Sequence, residues 1–293
     1  MSNITKNYIC PICGSHSGIL GYKNGVHAVK CPVCTFTWKD MQDLPKDYYD
    51  TWQYGSAFSF GQRNKKNVFK FRLDLIAKVC DGQINKIMDF GCGKGEFVKF
   101  LRNDKNYEAY GCDIGPDTPD KTYFFKSDIS DLPLSELDLI TSFETFEHIE
   151  NISAVLDALA SRLRKNGYMY IETQYTHINH ILSWEYFDKA HHVSFYNPKS
   201  MKTLMEKHGM ELIYYDNKPW PLNLRILKRK VLHFSYRFIP PSVQKSAIYK
   251  KLYSLARKII KKITFTKPKN PRDRDWLEDI LMKHNCTFIA RKS

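Results

Sequence analysis

Long apolar runs are missing from this sequence of 293 residues, and none approaches the roughly 18 to 20 apolar residues that a membrane-spanning helix needs. The first residues also lack the basic and apolar regions of a secretory signal. These two absences predict a cytoplasmic protein. Acidic residues are outnumbered, with 31 Asp and Glu against 45 Lys and Arg and a net charge of +14, while a hydrophobic content of 43% suffices for a folded core.

Cysteine is concentrated in two short motifs. Four of the eight cysteines form two C-x-x-C pairs, Cys10 with Cys13 and Cys31 with Cys34, on either side of a predicted hairpin. Four thiolates at this spacing suit a tetrahedral zinc ion and leave no open coordination position, which predicts a structural zinc ribbon over residues 1–45. The alternative, two redox-active dithiols, requires a thioredoxin-like context that the sequence does not have.

Glycine is also scarce, but three of the 14 glycines stand at alternate positions. Residues 84–90 form an apolar strand pattern that contains Asp89 and leads into Gly91, Gly93 and Gly95, before a predicted helix. Glycines here permit a tight turn and let backbone N–H groups approach a ligand. The G-x-G-x-G spacing differs from the G-x-G-x-x-G of dinucleotide folds, so no bound pyrophosphate is required.

Strand and helix patterns alternate through the rest of the sequence. Further strands are predicted at 106–112, 126–129, 137–143, 168–173, 210–216 and 287–292, and helices at 67–79, 96–101, 154–164 and 199–208. The second strand ends at Asp113, and the third includes Asp128 and Ile129. This alternation predicts an α/β fold with a doubly wound sheet, whose ligands bind beyond the carboxyl ends of the parallel strands.

Residues 84–216 resemble a class I S-adenosylmethionine-dependent methyltransferase. The resemblance implies a Rossmann-like seven-stranded sheet, mostly parallel with an antiparallel last strand, within a domain of residues 81–293. It implies S-adenosylmethionine as cofactor, with contacts from Asp89, Gly91, Gly93, Gly95, Asp113, Asp128, Ile129 and Glu144. Another doubly wound domain is the structural alternative, and a non-enzymatic cofactor-binding scaffold is the functional one.

An aromatic linker with a predicted helix, residues 46–80, separates the ribbon from this domain. In methyltransferases with this layout, the segment before the first strand closes over the cofactor. Tyr54, Phe60 and Arg63 are therefore candidates for a lid. The alternative is that the aromatic side chains pack the ribbon against the catalytic domain.

Ionisable residues follow the fourth predicted strand of the sheet. Glu144, Glu147 and His148 form an E-x-x-E-H motif that resembles the one associated with a divalent metal in ubiquinone-type O-methyltransferases. The resemblance implies a Mg²⁺ or similar ion that lowers the pKa of the acceptor hydroxyl. A reading without metal places Glu144 beside the cofactor, Glu147 in solvent and His148 against the following helix.

A loop of residues 183–196, rich in aromatic and ionisable side chains, lies where small-molecule methyltransferases form their acceptor pocket. Methyl transfer is an in-line displacement, so the enzyme mainly aligns the acceptor and removes its proton. A histidine with a pKa near neutrality suits that task. His148, His191 and His192 are therefore the candidate catalytic residues, although a single histidine is more commonly structural.

Residues 218–271 hold 15 Lys and Arg and no Asp or Glu, so nearly all of the net positive charge lies in this segment. Apolar residues recur between the basic ones at helical spacing, which predicts a basic helical insertion before the last strand. The insertion can pack on the domain with a solvated basic face, bind an anionic membrane surface, or follow the phosphates of RNA. Its apolar stripe favours a membrane over RNA.

Zinc ribbons ahead of such a domain resemble enzymes that methylate sugars in surface-glycan or nucleotide-sugar pathways. The resemblance implies O-methylation of a small-molecule, nucleotide-linked or lipid-linked saccharide, in the cytoplasm or at the membrane periphery. Sugar C-methyltransferases with a similar ribbon carry a longer C-terminal domain, which disfavours carbon methylation. The alternative is an RNA methyltransferase that binds RNA with its ribbon and basic insertion.

Overall fold

The computed structural model describes residues 6–46, 62–115, 119, 122–126, 129, 132–174, 181–182, 187–188, 191–216 and 285–293. The chain divides into two units, and all of these residues belong to the unit formed by Met1–Lys218 and Asn285–Ser293. The basic insertion 218–271, the cofactor candidate Asp128 and the lid candidates Tyr54 and Phe60 lie outside the described residues, as does the side chain of Arg63.

The ribbon is built on a small antiparallel sheet. Its strands are β1 (Tyr8–Ile9), β2 (His16–Lys23), β3 (Val26–Lys30) and β4 (Thr37–Lys39). Asn24 and Gly25 join β2 to β3 with positive φ angles of 51° and 86°, as a two-residue hairpin requires. One C-x-x-C motif precedes this hairpin and the other follows it, so the hairpin brings the two motifs together.

Eight further strands follow the ribbon in the described part of the chain. They are β5 (Lys86–Phe90), β6 (Glu108–Cys112), β7 (Phe124–Phe125), β8 (Leu137–Phe143), β9 (Leu163–Gln174), β10 (Ser194–Phe195), β11 (Met210–Asp216) and β12 (Asn285–Lys292). All but β10 form a seven-stranded sheet in the order β11-β12-β9-β8-β5-β6-β7. Strands β5 to β9 are parallel, and β12 is antiparallel to both of its neighbours. The predicted Rossmann-like sheet with an antiparallel last strand is confirmed.

Four helices accompany the sheet in the described part of the chain. They are α1 (Gln62–Val79), α2 (Glu96–Lys105), α3 (Ile152–Arg162) and α4 (Pro198–Lys207). Helix α4 begins at a capping box in which Asn197 and Ser200 satisfy each other's backbone N–H groups. No described helix is long and apolar enough to cross a membrane.

Two details of the sheet differ from the sequence prediction. Strand β7 lies at Phe124–Phe125, so Ile129 follows the strand instead of ending it. Residues 165–167, between the predicted helix 154–164 and the predicted strand 168–173, lie inside the continuous strand β9. The pairing of β8 with β9 shifts register there, and Asn166 takes a φ of 59°, so the extra residues form a bulge without ending the strand.

The ribbon and the catalytic domain share a core. Strand β10 pairs antiparallel with β4 and extends the ribbon sheet to five strands. The buried side chains of Cys31, Phe36, Phe146 and Tyr196 belong to one hydrophobic cluster, in which the rings of Phe36 and Tyr196 lie 5.2 Å apart. The ribbon therefore packs on the residues that follow β8 and those around β10, both of which border the predicted acceptor site.

Candidate active site

The three glycines after β5 all adopt positive φ, at 75°, 50° and 67° for Gly91, Gly93 and Gly95. A Cβ at Gly91 would overlap Thr145, and one at Gly95 would overlap the ring of Phe124. A Cβ at Gly93 would meet nothing within 4 Å. Packing thus requires the outer two glycines, while the middle one borders open space in which a cofactor can approach the backbone.

Asp113 lies directly after β6 and is buried against the glycine loop. Its carboxylate accepts a hydrogen bond from the N–H of Gly93 at 2.7 Å and another from the N–H of Gly115 at 2.6 Å. These bonds hold one carboxylate beside the open space above Gly93. Ile129, the other described candidate on this side, is buried at 3% exposure.

Asp89 is buried within the sheet at the carboxyl end of β5. Burial raises the pKa of its carboxyl group to about 7, and a 2.7 Å hydrogen bond from the Thr141 hydroxyl offsets only part of that effect. Thr141 stands opposite Asp89 in the register of β5 and β8, which explains the contact. The side chain thus links β5 to β8 just before the glycine loop.

An Asp89→Asn substitution is expected to remove a pH-dependent loss of stability from the cofactor-free protein. The folded protein keeps the Asp89 proton up to about pH 7, whereas the unfolded chain releases it near pH 3.8. Between these values the folded state binds more protons, so wild-type stability falls by up to about 1.4 kcal/mol per pH unit as the pH rises. In urea titrations, the free energy of unfolding of the variant should gain about 2 kcal/mol on the wild type between about pH 5.5 and 7.

The matched control for this measurement is Asp74→Asn, on the exposed face of α1. Its stability should follow the wild-type pH dependence. If the free energies of unfolding of Asp89→Asn and the wild type change in parallel with pH, the buried carboxyl does not titrate as described.

A buried ion pair fixes the carboxyl ends of β8 and β9. Glu172 in β9 is 1% exposed, and its Oε2 lies 2.5 Å from Nη2 of Arg72 in α1. Its carboxylate also accepts a hydrogen bond from the Tyr170 hydroxyl at 2.6 Å. The Arg72 guanidinium also lies 3.3 Å from the centroid of the Phe143 ring. Neither Arg72 nor Glu172 is among the residues predicted from the sequence, although a glutamate within an apolar strand pattern is a usable signal for a buried pair.

Glu144 follows β8 in a strained backbone conformation. Its φ is 55°, and its N–H donates to the Glu172 carbonyl at 2.8 Å. The Gln174 side-chain amide donates to the Glu144 carboxylate. A non-glycine residue in the left-handed region costs on the order of 1 to 3 kcal/mol, and such residues cluster at functional sites.

The structure brings the three predicted histidines together. His148 ends a short 3₁₀ helix after β8, and His191 and His192 are separated from β10 by Val193 alone. The ring of His192 lies 4.8 Å from each of the other two, and one nitrogen from each ring lies within 4.8 Å of the others. His148 and His192 are buried and His191 is partly exposed. We call these three residues the histidine cluster.

Backbone and carboxylate contacts hold the histidine cluster in place. His148 Nδ1 lies 2.8 Å from the carbonyl oxygen of His191, and the Val193 N–H donates to the Glu147 carbonyl at 2.8 Å. The buried Glu147 carboxylate accepts from the Thr173 hydroxyl at 2.7 Å and lies 4.0 Å from His148 Nε2. Among the described residues, the groups whose ligand atoms approach within 4.8 Å include His148 but neither Glu144 nor Glu147. The predicted ion at these glutamates stays a prediction.

The four cysteines predicted to bind zinc meet in a second cluster. Their sulfur atoms lie within 4.8 Å of one another, with Cys10 and Cys34 separated by 3.5 Å and Cys13 and Cys31 by 3.4 Å. A tetrahedral zinc ion with bonds of about 2.3 Å requires sulfur atoms roughly 3.8 Å apart, so these side chains fit the ion after a small outward shift. The hydrogen bond with Cys34 lowers the pKa of the Cys10 thiol to about 5.

The two C-x-x-C motifs have the same local backbone. Gly14 and Thr35, each directly after a motif, take positive φ angles of 73° and 63°. Their N–H groups donate to the carbonyls of Cys10 and Cys31 at 2.9 and 3.1 Å. Matching turns thus hold both pairs of thiols, whose sulfur atoms meet as a four-thiolate metal site requires.

A family model described as a methyltransferase domain matches residues 60–215, which is more than half of the chain. No curated protein matches the chain. Among solved structures, the chain is similar to one from a complex of the Haloferax volcanii Trm112 methyltransferase activator with a methyltransferase. The two chains are 14% identical at a TM-score of 0.50, over 78% of this chain and 92% of that one. An Archaeoglobus fulgidus SAM-dependent methyltransferase is 20% identical at a TM-score of 0.48, over 78% and 94%. At these identities the first structure supports the fold alone.

Proposed function

Since the chain belongs to the methyltransferase family whose model covers residues 60–215, we propose that it methylates a saccharide hydroxyl group with S-adenosylmethionine as the methyl donor. The observation that carries the hydroxyl acceptor is the orientation of His148. A carbonyl oxygen can only accept, so Nδ1 of His148 carries the hydrogen that points at the His191 carbonyl. His148 Nε2 is then the basic nitrogen and can take the hydroxyl proton.

The surroundings of His148 favour this role. The buried Glu147 carboxylate lies 4.0 Å from Nε2, so its negative charge stabilises the positive charge that a proton brings to the ring. His191 and His192 flank the same ring and are placed to orient the acceptor hydroxyl. An acceptor hydroxyl needs such help because its own pKa is far above neutrality.

The glycine loop and the carboxylates around it would hold the cofactor. Asp113 would accept hydrogen bonds from ribose hydroxyls, and the open space above Gly93 would let the cofactor approach the protein backbone. Glu144, at the same edge of the sheet, remains a proposed contact, as does Asp128, which lies outside the described residues. When bound, S-adenosylmethionine supplies a methyl group on a positively charged sulfur, and the protein's task is to align the acceptor with it and exclude water.

We further propose that Cys10, Cys13, Cys31 and Cys34 hold a structural zinc ion. The fit of the four sulfur atoms supports this assignment. The ribbon would then form one wall of the acceptor site, because β4 pairs with β10 and the Lys39 N–H donates to the Val193 carbonyl at 2.9 Å. The basic insertion 218–271 would dock the enzyme on an anionic membrane when the saccharide is lipid-linked.

The saccharide acceptor is tested by transfer of a labelled methyl group into fractionated extract of the source cells. The wild type should place label in glycan or organic-soluble material. An Asp113→Ala preparation provides the background, because it should not bind the cofactor. Label that disappears on RNase treatment would contradict the saccharide proposal and support the RNA alternative. Cofactor binding without label in any fraction would favour the non-enzymatic scaffold.

A further inference from the structure

We propose that His148, His191 and His192 together bind one divalent transition-metal ion on the acceptor side of the sheet. The ligand set differs from the acidic motif predicted from the sequence, since it takes His148 from that motif and replaces both glutamates with histidines 43 and 44 positions further along the chain. The catalytic role of the ion rests on the proposed hydroxyl methylation. The binding of the ion does not, and it can be measured separately.

The tautomer of His148 favours metal binding through Nε2. Because Nδ1 donates to the His191 carbonyl at 2.8 Å, the lone pair of the neutral ring lies on Nε2. Metal-binding histidines are commonly held in this way, with the second ring nitrogen donating to a backbone carbonyl or a carboxylate. The bond also ties His148 to the backbone of a second member of the cluster, which limits the relative movement of the two rings.

The buried negative charge of Glu147 favours a cation beside His148. His148 Nε2 lies 4.0 Å from Oε1 of the Glu147 carboxylate, and this carboxylate is 1% exposed. A positive charge at this place is favourable, either as a proton on the ring or as a metal ion. A proton engages one ring only and leaves the other two imidazoles facing a cation. One metal ion engages all three rings, since one nitrogen of each ring already lies within 4.8 Å of a nitrogen of the other two.

The ligand chemistry selects the class of ion. Neutral imidazoles suit Zn²⁺, Fe²⁺, Co²⁺ and Ni²⁺, whereas Mg²⁺ prefers oxygen ligands. Three protein ligands leave a coordination position open, as in catalytic zinc sites. An acceptor hydroxyl at that position would have its pKa lowered toward neutrality, which is the help that methyl transfer to oxygen requires.

The test is a Co²⁺ titration of the full chain after its cysteine site has been filled with one equivalent of zinc. We expect one further equivalent of Co²⁺ to bind, with visible absorption and without the thiolate charge-transfer bands of a cysteine site. His191→Ala should weaken this binding by about 100-fold or more, and Glu147→Gln by about tenfold as an outer partner. His16→Ala is the matched control, because His16 is exposed and bonds to Asn7.

Circular dichroism and cofactor binding of each variant show whether it is folded. If His191→Ala does not fold, the wild type still decides, because the Nδ1 hydrogen of a Co²⁺-bound His148 gives a paramagnetically shifted, exchangeable proton resonance. Failure of the zinc-loaded protein to bind one equivalent of Co²⁺, or equal Co²⁺ affinity in wild type and a folded His191→Ala, would overturn the proposal. Failure of the wild type to bind S-adenosylmethionine would instead contradict the proposed function.

Discussion

A Cys31→Ser variant is expected to lose its zinc and the ordered structure of the ribbon. Structural zinc contributes on the order of 10 kcal/mol or more to the folding of small four-ligand domains, a large fraction of the stability of a whole domain. The ribbon is too small to be held by a core of its own, so the proposed zinc ion would supply much of its folding energy. Zinc content by metal analysis and thermal unfolding by circular dichroism measure the loss.

The effect of Cys31→Ser should extend to methyl transfer. Strand β4 of the ribbon pairs with β10, and Val193, the residue before β10, is hydrogen-bonded to the backbones of both Lys39 and Glu147. His192 directly precedes that residue, so unfolding of the ribbon removes the support of the histidine cluster. We expect methyl transfer to fall below detection while cofactor affinity changes little, because the glycine loop lies on strands that do not pair with the ribbon.

The matched control is Cys80→Ala, which removes a buried thiol that belongs to the other large hydrophobic cluster. It should keep one zinc ion and most of the activity, at the usual cost of about 1 kcal/mol for a small core truncation. Full zinc content with wild-type stability in Cys31→Ser would show that the four cysteines do not form the metal site.

The glycine loop and the ribbon could be predicted because their signals are local. Positive φ at Gly91, Gly93 and Gly95 follows from a tight turn after a buried strand. Glycine is the residue that adopts this conformation at least cost. The hairpin at Asn24 and Gly25 and the spacing of the cysteines are equally local. Short-range steric and coordination rules decide all of these features.

The features that join the ribbon to the catalytic domain depend on contacts between distant residues. Strand β10 has only two residues, Ser194 and Phe195, which is too short for a period-two pattern. Its pairing with β4 is decided by the packing of Phe36 on Tyr196, far apart in the sequence. The pair of Arg72 and Glu172 is equally non-local, because a charged residue in an amphipathic helix usually faces solvent.

The histidine cluster stands between these cases. A resemblance in sequence placed His148, His191 and His192 in the same functional region, but it did not establish which side chains would meet. The E-x-x-E-H motif suggested that Glu144 and Glu147 share a ligand with His148. In the structure the Glu144 carboxylate is bonded by Gln174, and the left-handed backbone at Glu144 aims its side chain differently from a helical i, i+3 arrangement.

An Asp113→Ala variant is expected to lose measurable affinity for S-adenosylmethionine. The carboxylate would accept two hydrogen bonds from the ribose, and hydrogen bonds to a charged group contribute about 1.5 to 3 kcal/mol each. Their loss alone weakens binding by at least about 100-fold. The substitution also removes the acceptor for the N–H groups of Gly93 and Gly115, so the glycine loop loses the bonds that fix it beside the cofactor. Isothermal titration with S-adenosylmethionine measures the affinity.

Two further variants separate ribose binding from loop support. Asp113→Asn keeps a side-chain oxygen for the loop but loses the charge and can accept fewer ribose hydrogen bonds, so its affinity should fall by about tenfold while its unfolding temperature stays near the wild type. Asp104→Ala removes an exposed carboxylate that pairs with Lys66 and should leave the affinity unchanged. If Asp113→Ala binds the cofactor as tightly as Asp104→Ala, the carboxylate after β6 does not contact the ribose, and the cofactor must be held by other groups at this edge of the sheet.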